Sequence, residues 1–289
     1  MENYKLFLLQ RADINRGKAS GTDGVGIVTT TGTSTIVGTA TTFNFYENSN
    51  YIQVPESVIG IEKIFKFDTS SISGGMFSIK YQLFLNDLYY PLYFLDFETF
   101  TQAVPEWDRL RPYQNIPFQY SIHLIEREGE DPSHLEYLAD ESSDPRRGLV
   151  DRLIRDIPEG ACVLAYNKSF EKRVVRDLAQ QFPGYSDHLM DIHNNMLDLM
   201  IPFQKKHYYK KEMKGSYSIK NVLPALTLGS PYSKMNISDG MKASISYKSL
   251  PSLKNLTKKE KIKRDLKTYC RQDTQAMVDV LECLRNRVY

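Results

Sequence analysis

The sequence predicts an α/β domain over residues 91–289 and a smaller β-rich module over residues 1–90. Three observations carry that expectation. The apolar run Pro91-Leu-Tyr-Phe-Leu-Asp-Phe-Glu-Thr99 reads as a buried strand ending in two acids. A wholly apolar stretch, Gly160-Ala-Cys-Val-Leu-Ala-Tyr166, lies between two segments of helical periodicity, as a strand covered on both faces would. The first ninety residues differ in texture: Gly21 to Phe43 is dominated by Gly, Thr, Ser and Val.

Bulk composition sets limits. With 289 residues the chain suffices for one large or two ordinary domains. The net charge of +2 gives no global polybasic signature. Residues 1–90 hold 7 Lys/Arg against 8 acids and residues 91–289 hold 30 against 27, which permits a nucleic-acid partner without demanding one. Cys162, Cys270 and Cys283 form no C-x-x-C pair, which fits a reducing compartment and argues against a disulfide framework or a Cys-built zinc site. The N-terminus lacks a basic n-region and a small-residue cleavage site, and no run approaches the ~20 apolar residues of a membrane span. The expected setting is the cytoplasm of a bacterial or phage-infected cell, with no membrane partner; a virion location is the alternative.

In the first module, β-branched residues and spaced glycines predict two short strands joined near Gly32-Thr33. Further strands are expected at Tyr51–Pro55, Gly60–Phe67 and Met76–Phe84, with a loop from Ser70 to Gly75. The stretch Lys66-Phe-Asp-Thr-Ser-Ser-Ile-Ser-Gly-Gly-Met-Phe-Ser-Ile-Lys-Tyr-Gln-Leu-Phe-Leu-Asn-Asp-Leu-Tyr-Tyr90 resembles part of a tailed-phage neck or head-completion protein. The resemblance implies a virion-assembly module, with virion proteins as partners through residues 1–90, or a gene fusion. An ordinary β-rich appendage is the other reading.

The second module opens on the acid-bearing strand. By the period-2 rule Leu92, Phe94, Asp96 and Glu98 share one face, and Tyr93, Leu95, Phe97 and Thr99 the other. Two neighbouring carboxylates repel each other and resist desolvation, so a fold keeps them cheaply when a cation sits between them. Oxygen ligands suit Mg²⁺ or Mn²⁺. A strand running out into solvent with two surface acids gives the same letters, and later motifs must separate the two readings.

The loop Ala103 to Gln114 carries Trp107, Arg111 and Tyr113, groups that suit an unpaired base or a terminal phosphate, or a packed surface loop. Ile116–Ile125 and His134–Leu138 are the next strands, with antiparallel neighbours expected. Asp144-Pro-Arg-Arg starts a helix whose stripe is Leu149, Leu153, Ile154 and Ile157. Asn167-Lys-Ser-Phe-Glu171 opens another, with Asn167 or Ser169 as its cap and Glu171 in its first turn. Asp191–Phe203 reads as a helix, with Asp198 either facing solvent, the plainer reading, or supporting the acids. From Lys205 to Lys220 cations interleave with rings, in Lys206, Tyr208, Lys210, Lys211, Tyr217 and Lys220, the pattern of a nucleic-acid-binding patch or a solvated loop. Residues 227–255 read as mostly irregular. The last helix places Tyr269 and Asp273 on the apolar stripe of Ile262, Leu266, Met277, Val280 and Leu284. A carboxylate on such a stripe needs a partner, and Tyr269 four residues earlier points the same way.

The order of these motifs resembles the DEDD exonuclease superfamily of ribonuclease-H-like, DnaQ-like 3′–5′ exonucleases, in its tyrosine subclass. The histidine subclass would need His at position 268, which is Thr. A closer likeness is to a bacterial domain-of-unknown-function family within that superfamily. It is carried by Phe94-Leu-Asp-Phe-Glu-Thr-Phe100, Arg111-Pro-Tyr-Gln-Asn-Ile-Pro-Phe-Gln-Tyr120, Tyr166-Asn-Lys-Ser-Phe-Glu171, Gly215-Ser-Tyr-Ser-Ile-Lys-Asn-Val-Leu-Pro224 and Tyr269-Cys-Arg-Gln-Asp-Thr274. The resemblance implies a ribonuclease-H-like mixed sheet flanked by helices. It also implies two Mg²⁺ or Mn²⁺ ions held by Asp96, Glu98, Glu171 and Asp273, and an attacking water oriented by Tyr269. Single-stranded DNA or RNA would be the substrate, and Asn167 and Ser218 would join the nucleic-acid contacts. Glu171 stands where the superfamily usually has Asp, keeping the charge with a reach one methylene longer. The alternatives are a phage adaptor protein with a fused nuclease-like domain and a domain that binds nucleic acid without cutting.

Overall fold

The computed structural model describes residues 18–20, 42–44, 76–77, 84–227, 232 and 235–286. The strands and loop expected within 21–41, 51–55, 60–67 and 70–75 lie outside these residues. The chain divides into two units, of which the larger, Asp87–Ile201 with Ser216–Cys283, is here termed the sheet unit.

The described parts of the other unit are small. Strand β1 (Lys18–Ser20) pairs antiparallel with β2 (Thr42–Asn44). Strand β3 (Met76–Phe77) pairs antiparallel with β9 (Tyr208–Tyr209), so part of the basic segment 202–215 belongs to this unit rather than to the sheet.

The sheet unit is built on β4 (Leu92–Phe100), β5 (Ile116–Ile125), β6 (Ser133–Leu138), β7 (Cys162–Ala165) and β8 (Met196–Asp198). Their spatial order is β6-β5-β4-β7-β8. Strands β4, β5 and β6 run antiparallel, as the hairpin-like spacing of the sequence predicts. Strands β7 and β8 run parallel to β4, and each is reached through a helix, as parallel crossovers require.

Helix α1 (Pro145–Asp156) starts at the N-cap Asp144, whose carboxylate accepts from Arg146 N–H. Helix α2 (Lys168–Gln181) follows β7 directly, and α3 (Ser186–Asn194) precedes β8. These three cover one sheet face: Leu149 and Leu153 of α1, Val174 and Leu178 of α2, and Leu189 and Ile192 of α3 close over Tyr93, Leu95, Phe97, Tyr120 and Ile122.

Two expectations need correction. The segment Asp191–Phe203 is not one helix. It breaks at Asn195 into β8 and then α4 (Ile201–Gln204), because Met196 and Leu197 pair with β7 as the sheet's edge strand. The stretch 227–255 also contains more order than its polar composition suggests. After α5 (Ile219–Leu226) comes α6 (Gly240–Ser249), N-capped by the Asp239 carboxylate accepting from Lys242 N–H. Its buried residues are Ala243 and Tyr247, one per turn, and the Tyr247 ring stacks on Phe118 at 4.1 Å. The final helix α7 (Leu256–Arg285) lies across the other sheet face. Gln119 Nε2 donates to its Leu266 carbonyl (3.1 Å), and its Thr274 hydroxyl meets Ser121 Oγ and His123 Nδ1, each at 2.8 Å. None of the described helices is long and apolar enough to cross a membrane.

Leu153 is fully buried between α1 and the sheet. Truncating it, Leu153→Ala, is expected to cost about 2–5 kcal/mol. Thermal unfolding would show this as a lower Tm; an unchanged Tm would put this face outside the cooperative core.

Candidate active site

Strand β4 is the pivot of the sheet, with an antiparallel neighbour on one side and a parallel one on the other. The acids sit at its C-terminal end. Phe94 pairs with Leu164, so Asp96 lies just past the end of β7, where α2 begins. In open α/β sheets ligands bind outside the carboxyl ends of the strands. The β4–β5 register slips between Glu98 and Thr99, a bulge that bends the strand beside the second acid.

Four carboxylates converge there from three elements. Asp96 and Glu98 come from β4, Glu171 from the first turn of α2 and Asp273 from α7. Glu98 and Glu171 are only 5% and 3% exposed, while Asp96 and Asp273 are half-buried and open the site outward. Each group registers its neighbours. Burial pushes Asp96 well above the usual carboxylate range, and Asp273 adds to it. Glu98 is raised by burial, then by Asp96, Asp273 and Glu171. Glu171 is raised by burial, then by Asp96, against the pull of its own backbone N–H. Burial lifts Asp273 to about 6, held back by the Tyr232 and Tyr269 hydroxyls and by Lys220. Glu171 Oε2 is buried with no hydrogen-bond partner. An orphaned carboxylate oxygen inside a cluster of acids is costly unless a cation completes it.

Tyr269 is 4% exposed, and its phenol is raised by burial and by Asp273, Glu98 and Asp96, so it stays protonated. Lys220 belongs to this site rather than to an outer patch. Its ammonium lies 5.2 Å from the Tyr232 ring centroid and 5.3 Å from that of Tyr269, and it donates to the Ser238 carbonyl at 2.5 Å. Its charge opposes the rise of Asp96, Glu98 and Asp273.

Further groups surround the acids. Asp198, read from the sequence as solvent-facing or as a support for the acids, is 5% exposed at the end of β8. It accepts from Asn167 N–H and Met200 N–H, both at 3.0 Å, and adds to the field on Glu171. Asn167 therefore does not cap α2 with its side chain; it sits in the left-handed region (φ 73°) with its amide held by Asp198. Cys270 is fully buried with its Sγ 3.7 Å from Asp96 Oδ2 and 3.8 Å from the Asp96 carbonyl.

The expected nucleic-acid contacts divide. Trp107 is half-buried, edge-on to Phe100 at 6.3 Å, and helps anchor its loop. Arg109 Nη1 donates to the Gln181 carbonyl and Gln114 Nε2 to Asp177 Oδ2, tying the same loop to the far half of α2. Arg111 and Tyr113 stand out from it, 74% and 72% exposed. Ser218 is exposed at the start of α5. Lys206, Tyr208, Lys210 and Lys211 lie in the other unit. The Tyr208 ring is fully buried edge-on to Phe203, so it offers no face for stacking a base.

Comparison with known proteins adds two family matches. A family described as "Domain of unknown function (DUF2779)" matches residues 93–218, which include Asp96, Glu98 and Glu171 but stop short of α7. A family described as "Bacteriophage T4 neck protein gp13" matches residues 3–124. The two overlap on β4 and β5, which the fold assigns to the sheet unit through their pairing with β6 and β7. An uncharacterized protein of Ureaplasma parvum serovar 3, UU173, is 25% identical over 212 residues. That alignment covers 65% of this chain, which spans about 30% of the relative's length.

Carboxyls raised in the fold contribute stability at low pH that is lost as pH rises through the folded value. For Asp273 the window runs from its ordinary 3.8 to about 6. Metal-free protein is expected to lose Tm across that window relative to an Asp273→Asn variant. Equal pH profiles for the two proteins would contradict the clustered charge.

Proposed function

We propose that the sheet unit is a metal-dependent 3′–5′ exonuclease acting on single-stranded nucleic acid. The observation that carries this reading is the close Asp96/Glu98 pair, which feels the charge of Asp273 and, at Glu98, of Glu171, whose own Oε2 is buried and unpartnered. Hard oxygen donors at such density fit Mg²⁺ or Mn²⁺. The sheet order and the placement of the acids also agree with the ribonuclease-H-like likeness of the motifs. The activity, substrate and partners of the full-length relative are unknown, so the reading rests on this chain's own residues.

In this account Asp96, Glu98, Glu171 and Asp273 would hold the ions, with Glu171 presented from the first turn of α2. Bound ions of this kind supply a hydroxide-like nucleophile and neutralise charge on a phosphodiester. Tyr269, kept protonated and hydrogen-bonded to Asp273, would position the attacking water rather than remove its proton. Lys220, held over two rings, presents positive charge toward the phosphate. Exposed Arg111 and Tyr113 suit contacts to the strand beyond the site.

The match of residues 3–124 to the phage neck family supports a second reading, in which virion proteins are partners and the nuclease-like unit travels with them. Ring assembly or incorporation into virions without hydrolysis would favour it.

Degradation of 5′-labelled single-stranded DNA and RNA with Mg²⁺, Mn²⁺ or EDTA tests the enzyme reading. The expected result is a metal-dependent ladder shortening from the 3′ end, absent in an Asp96→Ala/Asp273→Ala double variant. Tyr269→Phe should lower kcat by roughly 10²-fold, the scale for losing one preorganised donor. Intact substrate with both metals, while binding persists, would sink the reading in favour of a non-cleaving domain.

A further inference from the structure

We propose that Asp96, Glu98 and Cys270 form a thiolate-containing subsite for a borderline-soft divalent ion of the zinc class, which displaces Mg²⁺ from the same two carboxylates. The consequence, an enzyme switched off by such an ion, rests on the nuclease reading above; the binding itself rests on geometry. The three side chains bring one ligand atom each within 4.8 Å of the others. In a tetrahedral zinc site with Zn–S of about 2.3 Å and Zn–O of about 2.0 Å, sulfur and oxygen lie about 3.5 Å apart. Cys270 Sγ and Asp96 Oδ2 are 3.7 Å apart, so one ion bridges them with little movement of either.

The thiol does not stand alone. Glu171, 3% exposed and with its Oε2 unpartnered, feels the charge of Asp96, so the pocket beside the three ligands holds a further uncompensated carboxylate. Cys270 is held there by the one-residue offset from Tyr269 on α7, which turns it onto the β4 backbone. Mg²⁺ has no use for sulfur and would leave the thiol a spectator, whereas Zn²⁺, Co²⁺ and Cd²⁺ would displace the Cys270 proton to solvent and gain a thiolate bond on top of the two carboxylates. The subsite therefore discriminates by softness, with Asp96 and Glu98 as the ligands for which the two classes of ion compete.

Titration of the full chain with Co²⁺ reads thiolate ligation directly, through the sulfur-to-cobalt charge-transfer band in the near ultraviolet. The expected result is a band that saturates at about one ion per chain. Zn²⁺ should bleach it. The band should persist in Cys162→Ser and Cys283→Ser and vanish in Cys270→Ser, with Cys270→Ala as a second variant and circular dichroism confirming that each is folded. No band in the wild type, or a band that survives in a folded Cys270 variant, overturns the subsite. Mg²⁺-dependent cleavage assayed on the same wild-type sample separates the two claims. Cleavage that Zn²⁺ abolishes supports both, cleavage without a cobalt band removes the subsite alone, and a band without cleavage removes the nuclease and leaves the metal site.

Discussion

Mutual repulsion among Asp96, Glu98, Glu171 and Asp273 is the constraint on which the rest of the sheet unit depends. Burial raises all four carboxyls, and neighbouring carboxylates add to the rise of Asp96, Glu98 and Glu171. A fold that holds them together must fix each from a rigid element, because a loop would relax the cluster apart. Strand β4 is central and paired on both sides. Helix α2 enters straight from a fully buried strand, with its N-terminal dipole toward the acids. Helix α7 is clamped to β5 through Gln119, Ser121 and His123. The last two are part of a polar network one residue from Asp273, so the same contacts that seat the helix also set the direction of its carboxylate.

Two features soften the repulsion without removing it. Lys220 lowers the tendency of Asp96, Glu98 and Asp273 to take up protons, and its own charge is held by two aromatic faces and the Ser238 carbonyl. The Cys270 thiol donates weakly to Asp96. Neither reaches Glu171 Oε2. The cluster is thus under-compensated by the protein itself, a condition that a bound cation relieves and that an apolar or amide substitution would relieve differently. Helix α6 bounds this side of the site: a Cβ on Gly240 would come within 3.6 Å of Glu98 Oε2.

Much of this was legible in the sequence where periodic signals were long. The alternation of β4, the unbroken apolar run of β7 and the stripe of α7 placed Asp96, Glu98, Tyr269 and Asp273 before any coordinates. Short elements were not legible. The three residues of β8 sit among apolar residues at helical spacing, and only their pairing with β7 makes them a strand. Helical spacing left Asp198 between solvent and the acids, and its burial follows from its place at that strand's end. Helix α6 has just two buried side chains, too few to stand out from a polar segment. Cys270 was passed over because its partner, Asp96, is 174 residues away, a relation that spacing rules for cysteine do not see. Lys220 and Tyr208 were grouped with neighbouring cations and rings by sequence proximity, while the fold sends one into the acid cluster and buries the other in the second unit.

Counting bound Mn²⁺ by loss of its free-ion paramagnetic resonance signal tests the central claim most directly. The account predicts saturable uptake of about two ions per chain near neutral pH, weakened as the pH falls and abolished in a folded Asp96→Ala/Asp273→Ala variant. A wild-type protein that leaves the free Mn²⁺ signal unchanged would contradict it, and would mean that the four clustered carboxyls are kept neutral by protons alone.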